Sequence, residues 1–217
     1  MKKYTTVLFD LDGTLVDSGI GVTNSVAYAL EKFGITPPPR QELFKFIGPP
    51  LTQSFREFCG FDEEKTTLAI KIYREYYSQK GILECTMYEG VLELLKSLKE
   101  KGYKIGLATS KPEIYATKVA ELKGILPYLD FLSAASTDEK TRATKEAVVE
   151  YALQLCGEKD RTKIIMVGDR HFDINGAKRH GLDSIGVTFG YGSYEELNSA
   201  GATYIAANAK EIDNILE

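Results

Sequence analysis

Asp10 and Asp12 flank a single leucine in the run Asp10-Leu11-Asp12-Gly13-Thr14-Leu15, directly after an apolar stretch, Thr5 to Phe9. If that stretch is a strand, residues two apart leave it on one side, so both carboxylates reach the same crevice. Crowded carboxylates repel unless a cation lies between them. Two more acids, Asp169 and Asp173, follow a second apolar run, Lys163 to Val167. Carboxylate oxygens without His or Cys suit a hard cation, and a site that also takes a phosphate favours Mg²⁺ over Ca²⁺. Groups for an anion stand nearby. Gly13 allows a tight turn, continued by Thr14, whose N–H groups can face a phosphate. Thr109 offers a hydroxyl and a backbone N–H after a third apolar run, Lys104 to Ala108, with Ser110 and Lys111 next to it. Pro112 suits the first turn of the helix that follows and leaves Lys111 near the mouth of such a pocket. Lys145, after Thr144 at a predicted helix start, brings compact positive charge and a helix dipole to the same anion. Lys140 competes with it for that role.

Those residues need a frame that gathers them. Strand-like runs at Thr5 to Phe9, Lys104 to Ala108, Asp130 to Ser133, Lys163 to Val167, Ser184 to Val187 and Thr203 to Ile205 alternate with helical patterns. The helices are expected at Val91 to Lys101, Glu113 to Lys123, Lys145 to Leu155, Asp173 to His180, Tyr194 to Ala200 and Lys210 to Leu216. The alternation predicts an α/β fold with a doubly wound, mainly parallel, Rossmann-like sheet buried on both faces. Ligands of such sheets bind outside the carboxyl ends of the strands, which is where the acids and hydroxyls fall. From Ser18 to about Thr86 no strand is visible, only roughly four helical segments punctuated by Gly and Pro. Six of the ten phenylalanines lie there, enough for a small core of its own. The expected organisation is an α/β catalytic core of residues 1–16 and 87–217 with an inserted α-helical cap of residues 17–86.

The balance of 27 basic against 31 acidic residues gives a formal net charge of −4, which disfavours broad binding to a nucleic acid polymer or an anionic membrane. No apolar run is long enough to span a bilayer. The opening residues lack a secretory apolar region, and Cys59, Cys85 and Cys156 lack metal-ligand spacing. A cytoplasmic protein with free thiols is expected, monomeric or homodimeric.

The stretch Asp10 to Ser18 resembles the first motif of the haloacid dehalogenase-like hydrolases. Thr109, Lys145 and Gly168-Asp169 through Asp173 match the second, third and fourth motifs in order. The insertion is similar to the C1-type cap of that superfamily. The flavour of Ala108 to Pro112 and of Val187-Thr188-Phe189-Gly190-Tyr191-Gly192 is similar to bacterial phosphoglycolate phosphatases and 5′-nucleotidases. The resemblance implies that Asp10 attacks phosphorus and forms an aspartyl-phosphate, that Asp12 serves as general acid and then base, and that Thr109 and Lys145 balance the phosphoryl charge. It also implies Mg²⁺ held by Asp10, the Asp12 carbonyl and Asp169, with Asp173 on a water or behind them.

An acid at position 12 argues for phosphoryl transfer rather than halide displacement. A sugar phosphomutase of the same fold is the rival enzyme, but the stretch after Gly48 is Pro49-Pro50-Leu51-Thr52, without the arginine such mutases carry. A non-catalytic phospholigand-binding or regulatory protein is the rival from another class. Arg40, Lys45, Arg56 and Arg74 are the cap's candidate anion readers, with Arg56 expected in the substrate site. His171, between two of the acids, could touch substrate or stand as a solvated loop residue. Tyr73, Tyr76 and Tyr77 share one helix as cap core or substrate lining. The expected ligand is a small phosphorylated metabolite.

Overall fold

A computed structural model describes residues 3–136 and 141–217. Its main sheet contains β1 (Thr6–Phe9), β4 (Lys104–Pro112), β5 (Phe131–Ala135), β6 (Ile164–Gly168), β7 (Asp183–Val187) and β8 (Tyr204–Ala206). The strands lie in the order β5-β4-β1-β6-β7-β8, and every pairing is parallel. The chain therefore builds outward from β1 through β4 to β5, then returns to place β6 on the other side of β1. That reversal puts the carboxyl ends of β1, β4 and β6 side by side, the place where doubly wound sheets bind ligands.

Both faces of the sheet are covered, which explains why its strands read as continuous apolar runs. Val7 and Phe9 join one buried cluster with Ile105, Leu107, Ile165 and Val167. Leu8, between them, belongs to the opposite face with Ala108, Ile164 and Met166. Helix α7 (Lys145–Cys156) covers β4 and β5 on that second face, and α8 (His171–Arg179) lies beside it over β6 and β7. Helices α5 (Val91–Glu100) and α10 (Ala209–Leu216) pack on each other, α6 (Glu113–Leu122) lies on β4 and β5, and α9 (Tyr194–Ala200) lies against β7 and β8.

Between β1 and α5 the chain is helical: α1 (Gly19–Lys32), α2 (Arg40–Leu43), α3 (Leu51–Cys59) and α4 (Glu63–Tyr76), with a short 3-10 turn at Phe44–Phe46 and a π-turn at Tyr77–Gly81. Its apolar centre includes Phe55, which stacks on Phe61, and Phe46, which meets Phe55 edge-on. Helix α1 and the π-turn approach so closely that a Cβ on Gly21 would fall on the carbonyl oxygen of Gly81. Where this segment leaves and rejoins the sheet, β2 (Val16–Asp17) and β3 (Thr86–Met87) pair antiparallel. Strands of two residues carry too little periodicity to be seen in the sequence. Two boundaries beside the site also differ from expectation. β4 continues through Thr109 to Pro112 with a register shift, and α8 begins at His171 rather than Asp173, with the Asp173 carboxylate reaching back to accept from Arg170 N at 3.1 Å.

Candidate active site

Asp10 is the first residue beyond β1, and its backbone N–H donates to Val167 O at 2.9 Å. This bond to β6 fixes the side chain at the sheet's reversal. Its Oδ1 accepts from Lys145 Nζ at 2.8 Å. The same ammonium stands 2.8 Å from Asp173 Oδ1 and donates to Ala108 O at 3.0 Å. Two of the ammonium's three protons are matched by hydrogen bonds, to Asp10 and Ala108, while Asp173 Oδ1 stands at ion-pair distance without a hydrogen bond of its own. Lys145 is held at this point as the first residue of α7, whose start is fixed by Thr144 accepting from Ala147 N. Asp169 follows β6 directly, and Asp173 lies in the first turn of α8. Asp10, Asp169 and Asp173 are all buried, and each offers a ligand atom within 4.8 Å of the others.

Burial raises Asp10 to about 6, with Lys145 opposing the rise and Asp173 adding to it. Asp169 is pushed well above the carboxylate range, first by burial and then by Asp173 and Asp10. Lys145 is held above its ordinary range, because Asp10 and Asp173 outweigh the cost of burying it. One ammonium among three buried carboxylates leaves the cluster short of positive charge. Asp169 Oδ2 accepts from Tyr191 N at 2.8 Å, but its buried Oδ1 has no hydrogen-bond partner. An orphaned oxygen beside two more carboxylates, with oxygen donors only, fits a hard divalent cation.

Asp12 has a separate arrangement. Both its carboxylate oxygens accept from Lys111 Nζ, at 2.9 and 2.8 Å. Lys111 lies over the ring of Tyr77, 4.8 Å from its centroid, and Tyr77 stacks on Tyr73. Burial opposes the charge on Lys111, yet Asp12 and then Tyr77 hold its pKa above the ordinary range. Thr109 Oγ1 accepts from Lys111 N at 3.2 Å. A cleft opens between these residues and the helical segment: Asp10, Asp12, Thr109, Ser110 and Lys111 form one side, and Phe46, Ile47, Gly48, Tyr73, Arg74 and Tyr77 are on the other.

Several expectations need correction. The turn N–H groups of Gly13 and Thr14 do not face an anion: they donate to Val16 O and Leu11 O within the turn. Glycine is needed at position 13 for a different reason. Its φ is +85°, and a Cβ there would fall within the Asp169 carboxylate. The Thr14 hydroxyl is buried without a hydrogen-bond partner. Lys111 lines the cleft as expected, but it is buried with its ammonium on Asp12. Arg56 is exposed on α3 and does not line the cleft; Arg74 does. His171 turns to Glu196, whose Oε1 lies 2.8 Å from its Nδ1, and lines a second hollow with Ser110, Lys145 and Asn175. Tyr76 meets Tyr28 and donates to Glu84, leaving Tyr73 and Tyr77 as the cleft's tyrosines from α4 and its π-turn. At the start of α1, Asp17 Oδ1 accepts from Gly19 N at 2.9 Å. Lys140 lies outside the described residues.

Sequence reasoning missed the structural parts played by Tyr191 and Glu196. A usable signal was present in Gly190 and Gly192, each at a position where a Cβ would collide with Asp169 or with the Gly13 backbone. Two glycines flanking one tyrosine mark a segment pressed against the site.

A family model described as haloacid dehalogenase-like hydrolase matches residues 7–187, spanning all the acids of this site. The chain belongs to that family. A 5′-nucleotidase of Pseudomonas aeruginosa is 37% identical over 215 residues, 99% of this chain and 96% of that protein. A tyrosine-protein kinase, PtkA, of Mycobacterium tuberculosis is 35% identical over 212 residues, 97% of this chain and 71% of that protein. The crystal structure of a "predicted phosphatase" from Clostridium acetobutylicum superposes with a TM-score of 0.94 at 46% identity, covering 98% of this chain and 97% of that one. Among the described residues, no helix of this family member is long and apolar enough to cross a membrane.

Proposed function

We propose that this hydrolase is a Mg²⁺-dependent phosphatase that cleaves a small phosphomonoester through an aspartyl-phosphate on Asp10. The observation that carries the reading is the division of labour between the two neighbouring carboxylates. Asp10 stands at the switch point with Lys145, Asp169 and Asp173 around it, while Asp12 faces the cleft. Asp10 supplies the attacking oxygen, and Lys145 and Thr109 take up charge on the phosphoryl oxygens. Asp12 gives a proton to the departing alkoxide and then takes one from the attacking water. Asp10, Asp169 and Asp173 would hold Mg²⁺, with Asp12 contributing its carbonyl. When bound, the ion supplies charge neutralisation at the phosphoryl group.

Residues 17–86 act in this proposal as a cap over a core of residues 1–16 and 87–217, excluding water and choosing the leaving group. The aromatic wall of Phe46, Tyr73, Tyr77 and Tyr115 supports a flat leaving group, so a nucleoside monophosphate is placed ahead of phosphoglycolate. Hydrolysis is placed ahead of transfer to a protein tyrosine, because insert residues Ile47 to Leu51 wall the cleft and leave a compact chamber. The enzyme is taken to work in the cytoplasm, as a monomer or homodimer.

Phosphate release from nucleoside monophosphates, phosphoglycolate, sugar phosphates and an aryl phosphate, each with Mg²⁺ and with EDTA, tests the reading. A tyrosine-containing protein with ATP serves as the transfer control. Mg²⁺-dependent release that disappears in Asp10→Asn is expected. A folded protein that releases phosphate from none of them, or that phosphorylates the control instead, would overturn it.

A further inference from the structure

Two residues of the core hold a cluster carboxylate with the backbone and the helical insert with the side chain. Arg170 N donates to Asp173 Oδ2 at 3.1 Å, while its NH1 donates to Ile47 O of the insert at 2.7 Å. Tyr191 N donates to Asp169 Oδ2 at 2.8 Å, while its hydroxyl donates to Asp17 Oδ1 at 2.5 Å, where the chain enters α1. The Tyr191 ring also meets Phe44, at 5.5 Å between centroids.

Neither side chain is loose. Arg170 Nε is 2.9 Å from Glu196 Oε1, an oxygen that also accepts from His171 N at 2.9 Å. A Cβ on Gly48 would stand 3.2 Å from Arg170 Cγ, so the arginine stem lies against the loop that walls the cleft. A Cβ on Gly19 would stand 3.0 Å from the Tyr191 hydroxyl, so the start of α1 is equally close.

From this paired geometry we infer that Arg170 and Tyr191 are positioning residues that couple the placement of the helical insert to the arrangement of the Asp169 and Asp173 carboxylates. A shift of the insert pulls on residues whose own N–H groups hold those carboxylates. Conversely, fixing the carboxylates with a cation fixes the backbone from which both side chains reach across. By linkage, whatever orders the cluster must hold the insert, and whatever displaces the insert must loosen the cluster. The inference rests on the proposal that the cluster holds Mg²⁺; it adds that the ion also sets the cap.

The test is amide hydrogen exchange on the full chain, with Mg²⁺ and with EDTA, in the wild type and in Arg170→Met/Tyr191→Phe. In the wild type, Mg²⁺ should slow exchange within residues 19–23 and 51–59 by about fivefold or more, the low end of ordinary coupling. In the double variant the slowing there should fall below about half of the wild-type factor, while β6 keeps its protection. Calorimetric titration of Mg²⁺ runs alongside, and Tyr191→Phe and Arg170→Lys, each tested alone, stand in if the double variant does not fold. Mg²⁺ that binds the wild type without slowing exchange in the insert refutes the coupling and leaves the metal site standing. Full slowing retained in the folded variants assigns it to other contacts and also refutes it. No Mg²⁺ binding at all removes the metal site and the coupling with it.

Discussion

Lys145→Met isolates the electrostatics of the site from its packing. Methionine keeps the length and apolar stem that lie against Gly176 of α8, while the ammonium is lost. That ammonium donates to Asp10 Oδ1 at 2.8 Å and to Ala108 O at 3.0 Å, and stands 2.8 Å from Asp173 Oδ1. Removing one partner of a buried charge pair costs about 3–5 kcal/mol, because the remaining charge has neither water nor counter-ion. In the metal-free protein this loss should lower the urea midpoint by about 2 M at pH 8, taking an unfolding slope of about 2 kcal/mol per molar. The deficit must depend on pH. Asp10 already sits at about 6 in the fold, above its unfolded value, and losing Lys145 lifts it further. A raised carboxyl pKa makes the folded state the better proton acceptor, so stability rises as pH falls through the folded pKa towards the unfolded one. At pH 5.5 the variant should recover at least about 1 kcal/mol of its deficit, since a tenfold change in proton affinity corresponds to about 1.4 kcal/mol. Mg²⁺ should recover part of it at pH 8. A deficit equal at both pH values would mean that packing, not charge, sets the cost. A loss under about 1 kcal/mol would refute the buried-pair reasoning outright.

Gly13→Ala should weaken Mg²⁺ binding by about 10–100-fold, the cost of disturbing groups around metal ligands, and calorimetric titration reads it. Asp12→Asn should lower turnover by about 10²–10⁴-fold while leaving Mg²⁺ affinity nearly intact, because its side chain pairs with Lys111 rather than with the cluster; steady-state rates and titration together separate the two effects. The rise in Tm caused by Mg²⁺ should be larger at pH 8 than at pH 5.5, since protons compete for Asp10 near its value of about 6 and binding must release them. Gly21→Ala should destabilise the chain by about 1–3 kcal/mol, because α1 and the π-turn have no room for the methyl group; urea unfolding measures it.

The sequence carried most of the frame, because strands buried on both faces show as uninterrupted apolar runs and the motifs fall at their ends. β1, β4 and β6 could be placed that way, and with them Asp10, Thr109 and Asp169. What escaped was whatever depends on partners far along the chain. The N–H of Gly13 looks free in a turn, but Val16 takes it. Lys111 reads as an anion-binding group near the pocket mouth, yet it meets Asp12, 99 residues away in sequence. Tyr191 OH reaches Asp17 across 174 residues. No local pattern of charge or hydropathy encodes such a pairing. The short β2–β3 pair was missed for both reasons: Val16 pairs with Met87, far along the chain, and two residues per strand give no period to read.

The two carboxylates of the first motif show why so short a stretch can carry two chemical roles. Asp10 and Asp12 are separated by Leu11, which is fully buried and anchors the turn between them. Leu11 O accepts from Thr14, Leu15 and Val16 N, so the chain coils back beneath the pair. Asp10 is left among like charges at the strand end, sharing its lysine with Asp173. Asp12 is carried forward into the cleft, where Lys111 serves it alone. Identical side chains thus acquire different surroundings from one turn, the difference that the nucleophile and proton donor proposed above would need. Lys145 and Lys111 enforce it from separate elements, α7 and the end of β4, so neither ammonium can substitute for the other. Exchanging the two carboxylates' surroundings would require moving a strand end rather than replacing a residue.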